Sequence, residues 1–186
     1  MSVRHVILDR DGVLNYEAPT GSYVREPGEF RWLPGALEGL ALLRRAGVRL
    51  SVATNQAGVG RGVMSLAQLA AVHDRMESEA AAHGGALDAV LYCPHTPEER
   101  CSCRKPAPGL IQAAVARSGI AASESIVVGD DERDLEAARR AGVAAALVRT
   151  GKGRRTEAAA GDAVLAVYDD LPQLARAIIG MSHEHT

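Results

Sequence analysis

Long hydrophobic runs are missing from this chain. Nowhere in its 186 residues does an apolar stretch approach the roughly 20 residues of a membrane span, and the run nearest the start, Val6-Ile7-Leu8, is too short for a signal-peptide core. No membrane partner is expected, and the cytoplasm is the expected compartment. An excess of one charge is missing too. With 21 Lys and Arg interspersed among 23 Asp and Glu, the formal net charge is -2, so no broad basic face is available for nucleic acid. Cysteine is scarce: three residues, all between Cys93 and Cys103, which argues against a disulfide framework and toward metal or chemistry. Internal repeats and low-complexity linkers are absent as well. A hydrophobic content of 47% at this length suits one core. The expectation is a single domain over residues 1–180 with a frayed tail over 181–186, acting as a monomer on a small polar ligand.

What is present is alternation. Short β-rich runs at residues 5–8, 49–53, 89–92, 125–128, 145–148 and 163–167 are separated by Ala- and Leu-rich helical stretches at 36–46, 65–82, 108–118, 132–141 and 171–179. Most strand candidates are apolar throughout, as strands buried on both faces of a parallel sheet are. Pro34-Gly35 and Ser65 mark helix starts, while Gly47, Gly84, Gly119 and Gly142 stand where helix ends favour a residue tolerant of positive φ. The order predicts an α/β fold with a doubly wound parallel sheet and right-handed crossovers. No insertion between its motifs is long enough for a large cap domain.

Ligands of such sheets bind beyond the carboxyl ends of the strands, so polar residues directly after apolar runs are the candidates. Four sets qualify: Asp9 with Asp11, then Thr54-Asn55-Gln56, then Arg104-Lys105, then Asp130-Asp131 with Asp134. Each alone has a structural reading, as a turn, a loop, a surface pair or a helix cap. Together, at successive strand ends, they make chemical sense. Carboxylates from two strands can hold Mg²⁺, and a lysine with a hydroxyl and an amide can neutralise phosphate oxygens. One aspartate can then attack a phosphate ester while a second protonates the leaving alcohol and later deprotonates water. Asp9 and Asp11 suit those two roles, and Thr54, Asn55 and Lys105 suit the stabilisation of the transferring phosphoryl group.

The cysteine loop, CPHTPEERCSC, supplies Cys93, His95, Cys101 and Cys103, three thiolates and an imidazole. That is a tetrahedral Zn²⁺ set, structural because protein fills all four positions. Three buried free thiols and a redox pair are the alternatives, the latter weakened because a C-x-C pair is awkward to close. The end of the loop delivers Arg104-Lys105 to the strand ends.

The stretches DRDGVLN, TNQAGVGRG, CRKPAPG and VGDDERD resemble the four motifs of the haloacid dehalogenase superfamily of phosphatases, whose fold is Rossmann-like, and the resemblance spans nearly the whole chain. Within that superfamily they are most similar to the D-glycero-D-manno-heptose 1,7-bisphosphate 7-phosphatases and, more distantly, to the histidinol-phosphate phosphatases. The resemblance implies Asp9 as nucleophile, Asp11 as general acid/base, and Thr54 and Lys105 on the phosphoryl group. Asn55 and Arg104 would contact substrate, with Gln56 beside them. Mg²⁺ would be held by the Asp9 carboxylate, the Asp11 main-chain carbonyl and Asp130. Both phosphatase families also carry the four-residue zinc pattern. One departure stands out: Asp131 occupies a position that is often basic in the family, which leaves open whether Asp131 or Asp134 supports the metal.

Residues 17–32 follow the nucleophile strand and can serve as a specificity loop, with Tyr23, Arg25 or Trp32 reaching substrate; Phe30 and Trp32 can equally pack against the next helix. A second phosphate on the substrate would find a fork in Arg104, with Arg25 or Arg61 as further partners. His5, His73 and His83 are assigned nothing. Arg139 and Arg140 with Glu132 and Glu136 read as a solvated helix face, and His183 and His185 as part of the tail. The main rival from another class is a phosphoacceptor signalling module, which a second aspartate and a zinc loop both disfavour.

Overall fold

The structure, a computed structural model, describes residues 3–19, 22–160 and 166–183. Strands β1 (His5–Leu8), β2 (Arg49–Asn55), β3 (Ala89–Cys93), β4 (Ser125–Gly129), β5 (Ala144–Val148) and β6 (Val167–Tyr168) form one parallel sheet in the order β3-β2-β1-β4-β5-β6. The chain winds outward from β1 to one edge, returns, and winds to the other, so the switch point lies between β1 and β4.

Both faces are covered, and the two-residue period of a strand decides which side chain goes where. Val6 and Leu8 join the larger core with Leu40 and Leu43 of α1 (Ala36–Arg45), Val72 and Met76 of α3 (Leu66–Ala82), and Leu174 and Ile178 of α7 (Leu171–His183). Ile7 points the other way, into a core with Leu110, Ile111 and Ala114 of α4 (Gly109–Ser118) and Ala137 and Ala138 of α5 (Glu132–Ala141). This is why β1 is buried at all four positions and had to be apolar at each that faces a helix layer. His5 is the polar exception. It lies between the hydroxyls of Ser51 (2.9 Å) and Ser125 (3.3 Å), and burial lowers its pKa, so the ring stays neutral.

Local sequence explains most boundaries. Ser65 caps α3 in a reciprocal box with Gln68, and Asp131 caps α5 in the same way with Asp134. Gly119 and Gly142 close α4 and α5 in the left-handed conformation. Three strands run past their expected ends, because Thr54 pairs with Tyr92, Asn55 with Cys93 and Gly129 with Leu147 in the ladders. Those extra residues are polar or small and carry no strand signal of their own, yet the extension sets them in rigid backbone.

Four expectations need correction. The single turn α2 (Ala57–Gly60) and the helix α6 (Gly153–Ala160) were not expected, since their Gly-rich starts hide helical periodicity. The last strand is Val167–Tyr168 rather than 163–167, and residues 163–165 lie outside the described residues. Helix α7 continues to His183, so residues 181–183 of the expected tail are helical, while 184–186, with His185, lie outside the described residues. Glu136 pairs with both Arg139 and Arg140 on the exposed face of α5, as the spacing indicated. Among the described residues, no helix is long and apolar enough to cross a membrane.

Candidate active site

The chain leaves β1 at Asp9 and turns sharply, with the Arg10 carbonyl accepting from the amides of Leu14 (2.8 Å) and Asn15 (3.1 Å). The turn needs Gly12, whose φ is +87° and whose missing Cβ would run into the Asp130 carboxylate. Asp130 thereby sits against the turn after β1 although it belongs to β4's end. The loop after β5 and the helix α6 fasten this corner from the far side: Lys152 N donates to Asp130 Oδ2 (2.7 Å), Thr156 Oγ1 to the Asp130 carbonyl (2.7 Å), and Thr150 Oγ1 to the Gly12 carbonyl (2.7 Å).

Into this corner comes Lys105, 3% exposed, with Nζ 2.9 Å from Asp9 Oδ1 and 2.6 Å from Asp134 Oδ1. Oxygens of Asp9, Asp130 and Asp134 lie within 4.8 Å of one another. Three carboxylates around one ammonium leave two negative charges uncompensated, and the pKa values reflect it. Burial, with further contributions from Asp134 and Asp11 against the pull of Lys105, pushes Asp9 up to about 7. Burial and the neighbouring Asp9 push Asp130 up to about 8. A small divalent cation with oxygen preference is the group that such a donor set fits in charge and chemistry.

Asp11 is not part of that carboxylate cluster among the described residues. Its carboxylate turns to Arg10, accepting from Nη2 at 2.9 and 3.0 Å and from Nε at 3.3 Å, and it also accepts from Asn15 Nδ2 (2.9 Å) and Gln56 Nε2 (2.9 Å). Burial raises its pKa, but Arg10 and these amides outweigh burial and hold it below the usual carboxylate range. Of the two candidates left open after β4, Asp134 is the one in the cluster. Asp131 also borders the cavity but stands outside the cluster, capping α5 and pairing with Arg133 (2.8 Å), which keeps it strongly ionised.

Asn55 departs from expectation. Its carboxamide clasps the backbone of Lys105, Nδ2 donating to the carbonyl and Oδ1 accepting from the amide, both at 3.0 Å. That clasp ties the end of the cysteine loop to β2 and leaves the amide engaged rather than free for substrate. In the loop the Cys93, Cys101 and Cys103 sulfurs are 3.2–3.6 Å apart, with His95 Nδ1 3.4 Å from Cys103 and 3.5 Å from Cys93. A disulfide needs about 2 Å. Thiolates about 2.3 Å from one tetrahedral zinc would stand about 3.8 Å apart, so the observed spacing fits a ligand cage. Arg104 braces the loop through Nη1 to the His95 carbonyl (3.1 Å).

All nine residues expected at the active centre line one cavity of about 370 Å³: Asp9, Asp11, Tyr23, Thr54, Asn55, Gln56, Arg104, Lys105 and Asp130. Arg61 joins them. Arg25 and Trp32 do not line it; Arg25 accompanies Glu29, while Trp32 packs edge-on against Phe30 and donates to Glu79 (2.6 Å).

Residues 102–174 match the HAD-hydrolase-like family model. The chain is 41% identical to the D-glycero-beta-D-manno-heptose-1,7-bisphosphate 7-phosphatase of Pseudomonas putida over 94% of its own length and 98% of the relative's. It is 39% identical to the D-glycero-alpha-D-manno-heptose-1,7-bisphosphate 7-phosphatase of Mycobacterium tuberculosis, covering 93% and 90% of the two chains. The crystal structure of D,D-heptose 1,7-bisphosphate phosphatase from B. bronchiseptica, complexed with magnesium and phosphate, superposes with a TM-score of 0.90 at 40% identity, covering 96% and 99%. The chain belongs to the heptose 1,7-bisphosphate 7-phosphatase family.

Several residues of this family member's cavity were not singled out from the sequence. Lys152 follows β5 directly in VRTGKG, and the strand-end rule that found the other four sets points to it as well. Arg10 stood in plain view between the two aspartates, but nothing local shows that its side chain is buried.

The raised values of Asp9 and Asp130 have a stability consequence. Both carboxyls hold protons in the folded, metal-free protein that the unfolded chain has already released above about pH 4. Their contribution is therefore fully present below that pH and is lost as pH rises through about 7 and 8. Metal-free protein should melt at a lower temperature at about pH 8 than at about pH 5, and added Mg²⁺ should raise the melting temperature more at the higher pH. A metal-free melting temperature that climbs across this window would contradict the clustering.

Proposed function

We propose that the protein removes the 7-phosphate of D-glycero-D-manno-heptose 1,7-bisphosphate through an aspartyl-phosphate on Asp9. The observation that carries this is Asp9 itself: its Oδ1 accepts from Lys105 Nζ (2.9 Å) and the Arg10 amide (2.7 Å), which leaves Oδ2 to attack. A bond forms from Oδ2 to phosphorus as the bond to the sugar oxygen breaks, and Asp11 delivers the proton to that oxygen. Asp11 rests ionised, and approach of the phosphate's negative charge raises its proton affinity, so that it takes the proton it delivers from solvent as substrate binds. In the second step Asp11 takes a proton from water as the water attacks phosphorus, releasing phosphate and restoring Asp9. Lys105 and the Thr54 hydroxyl bind phosphoryl oxygens. Mg²⁺, held by Asp9, Asp130 and the Asp11 carbonyl, supplies charge neutralisation when bound.

Arg61 and Arg104 line the same cavity, a partner set for a second phosphate. Histidinol phosphate, the enzymatic alternative, carries an ammonium that these guanidinium groups repel. Tyr23 packs over Gly58 at the cavity and borders the sugar. Zn²⁺ on Cys93, His95, Cys101 and Cys103 is a structural ion whose loop presents Arg104 and Lys105. The setting is a cytoplasmic monomer of one domain.

Phosphate release in Mg²⁺ should be fastest for the heptose bisphosphate and slow for histidinol phosphate. Asp9→Asn should abolish it while leaving the fold intact. If histidinol phosphate shows the higher kcat/KM, the substrate assignment is wrong although the phosphatase chemistry stands.

Arg104→Lys should lower kcat/KM about tenfold more for the bisphosphate than for a small monophosphate, because an ammonium cannot reproduce the guanidinium fork. Equal losses on both would remove Arg104 from substrate recognition.

Metal analysis should find about one Zn²⁺ per chain, and Cys101→Ser should lower zinc content, melting temperature and activity together. Zinc-free protein that is folded and fully active would refute the structural ion.

A further inference from the structure

Among the described residues, Arg10 is the largest side chain that is fully buried, at 1% exposure. A buried guanidinium is tolerated only where its five N–H donors find acceptors. Its Nε and Nη2 reach Asp11, and its Nη1 lies 3.2 Å from Nε2 of His73. Arginine stays charged and can only donate, so His73 Nε2 is the acceptor and the ring proton sits on Nδ1. Burial and the Arg10 charge lower the His73 pKa to about 4, which agrees with a neutral ring. His73 is 5% exposed on α3, 63 residues away in sequence, and its ring lies beside Tyr92 of β3, with centroids 5.8 Å apart.

The ring does not line the cavity, and its hydrogen bond is to Arg10 rather than to Asp11. What it does touch is the arm of the guanidinium fork that Asp11 does not use. A planar fork held at both ends has one orientation, and that orientation presents Nη2 to both oxygens of the general acid/base. Gln56 and Asn15 complete the clamp from the strand side. Without the Nη1 acceptor, the buried guanidinium must tilt or recruit water, and Asp11 moves with it.

We propose that His73 is a positioning residue for the reaction, holding Arg10 so that Arg10 orients Asp11. This rests on the reading of Asp11 as the group that protonates the leaving oxygen. It differs from a packing role in one measurable respect. An alkyl phosphate needs that proton because an alkoxide leaves poorly, whereas p-nitrophenyl phosphate releases a stable anion and needs it little.

The test compares wild type, His73→Leu and His73→Gln, as the full chain loaded with Mg²⁺. The readout is kcat/KM, which reports steps through departure of the leaving group. The substrates are p-nitrophenyl phosphate, glycerol 2-phosphate and the heptose bisphosphate. In kcat/KM, His73→Leu should lose about tenfold or more on the alkyl esters and less than about threefold on the aryl ester. His73→Gln, whose Oε1 stands near the place of Nε2, should recover to within about threefold of wild type. His73→Asn, with a shorter reach, should behave as the Leu variant and replaces it should that variant not fold. Equal losses on alkyl and aryl esters, no loss at all, or a Gln variant as poor as the Leu variant would each overturn the proposal. A wild type that turns over glycerol 2-phosphate but not the heptose bisphosphate sinks the substrate assignment alone, since the variant ratios on the first ester still decide this one.

Discussion

Lys105 brings its ammonium to 2.9 Å from Asp9 and 2.6 Å from Asp134 in a position closed to solvent, and most of the surrounding structure has a part in keeping it there. A buried ammonium is costly unless paired. Here the pairing supports it so well that its pKa moves above the ordinary lysine value although burial alone would lower it. Three separate devices converge on that one group. Asn55 at the end of β2 clasps its backbone, the cysteine loop leads the chain to it from β3, and the Asp131–Asp134 cap starts α5 so that Asp134 faces inward.

The same corner carries unresolved charge, and that is its use. Asp9 and Asp130 are driven up into the neutral range because they are buried together, which makes them receptive to a cation and, through it, to a phosphate. Asp11, two residues from Asp9, is driven the opposite way by Arg10. Two aspartates on one turn thus acquire different chemistry from their neighbours, one facing the carboxylate cluster and the other a guanidinium. Glycine makes the separation possible: at positions 12 and 151 the backbone passes so close to Asp130 that a side chain would collide with it.

Much of this was legible in the sequence because parallel α/β sheets leave a readable trace. Apolar runs mark the strands, and the residues directly after them must face the ligand side, so Asp9, Thr54 and Asp130 could be found one strand at a time, while Lys105 stands at the end of the cysteine loop that follows β3. The tight Cys/His grouping was legible for a similar reason, since all four residues lie within eleven positions of one another. Less was legible where function depends on direction rather than position. Asn55 sits where expected but turns its amide onto Lys105; Trp32 sits in the expected loop but points into the Phe30 and Glu79 contacts. Asp131 and Asp134 both follow β4, and only the helix cap decides which of them joins the carboxylate cluster.

By itself the sequence determined the alternation of strands and helices, the chemical character of each strand end and the identity of the metal-capable loop, because these follow from local periodicity and residue type. Tertiary structure alone decided the partners. Arg10 has no local feature that announces burial, and His73 is an isolated histidine on a helix; they meet because α3 packs on the sheet face beside β1. Lys152 reaches Asp130, and Thr150 the Gly12 carbonyl, because β5 lies next to β4 in the sheet order, although more than 135 residues separate Thr150 from Gly12 in the chain. Hydrogen bonds act over about 3 Å, and sequence separation carries no information at that range until strand order and helix packing have brought the groups together.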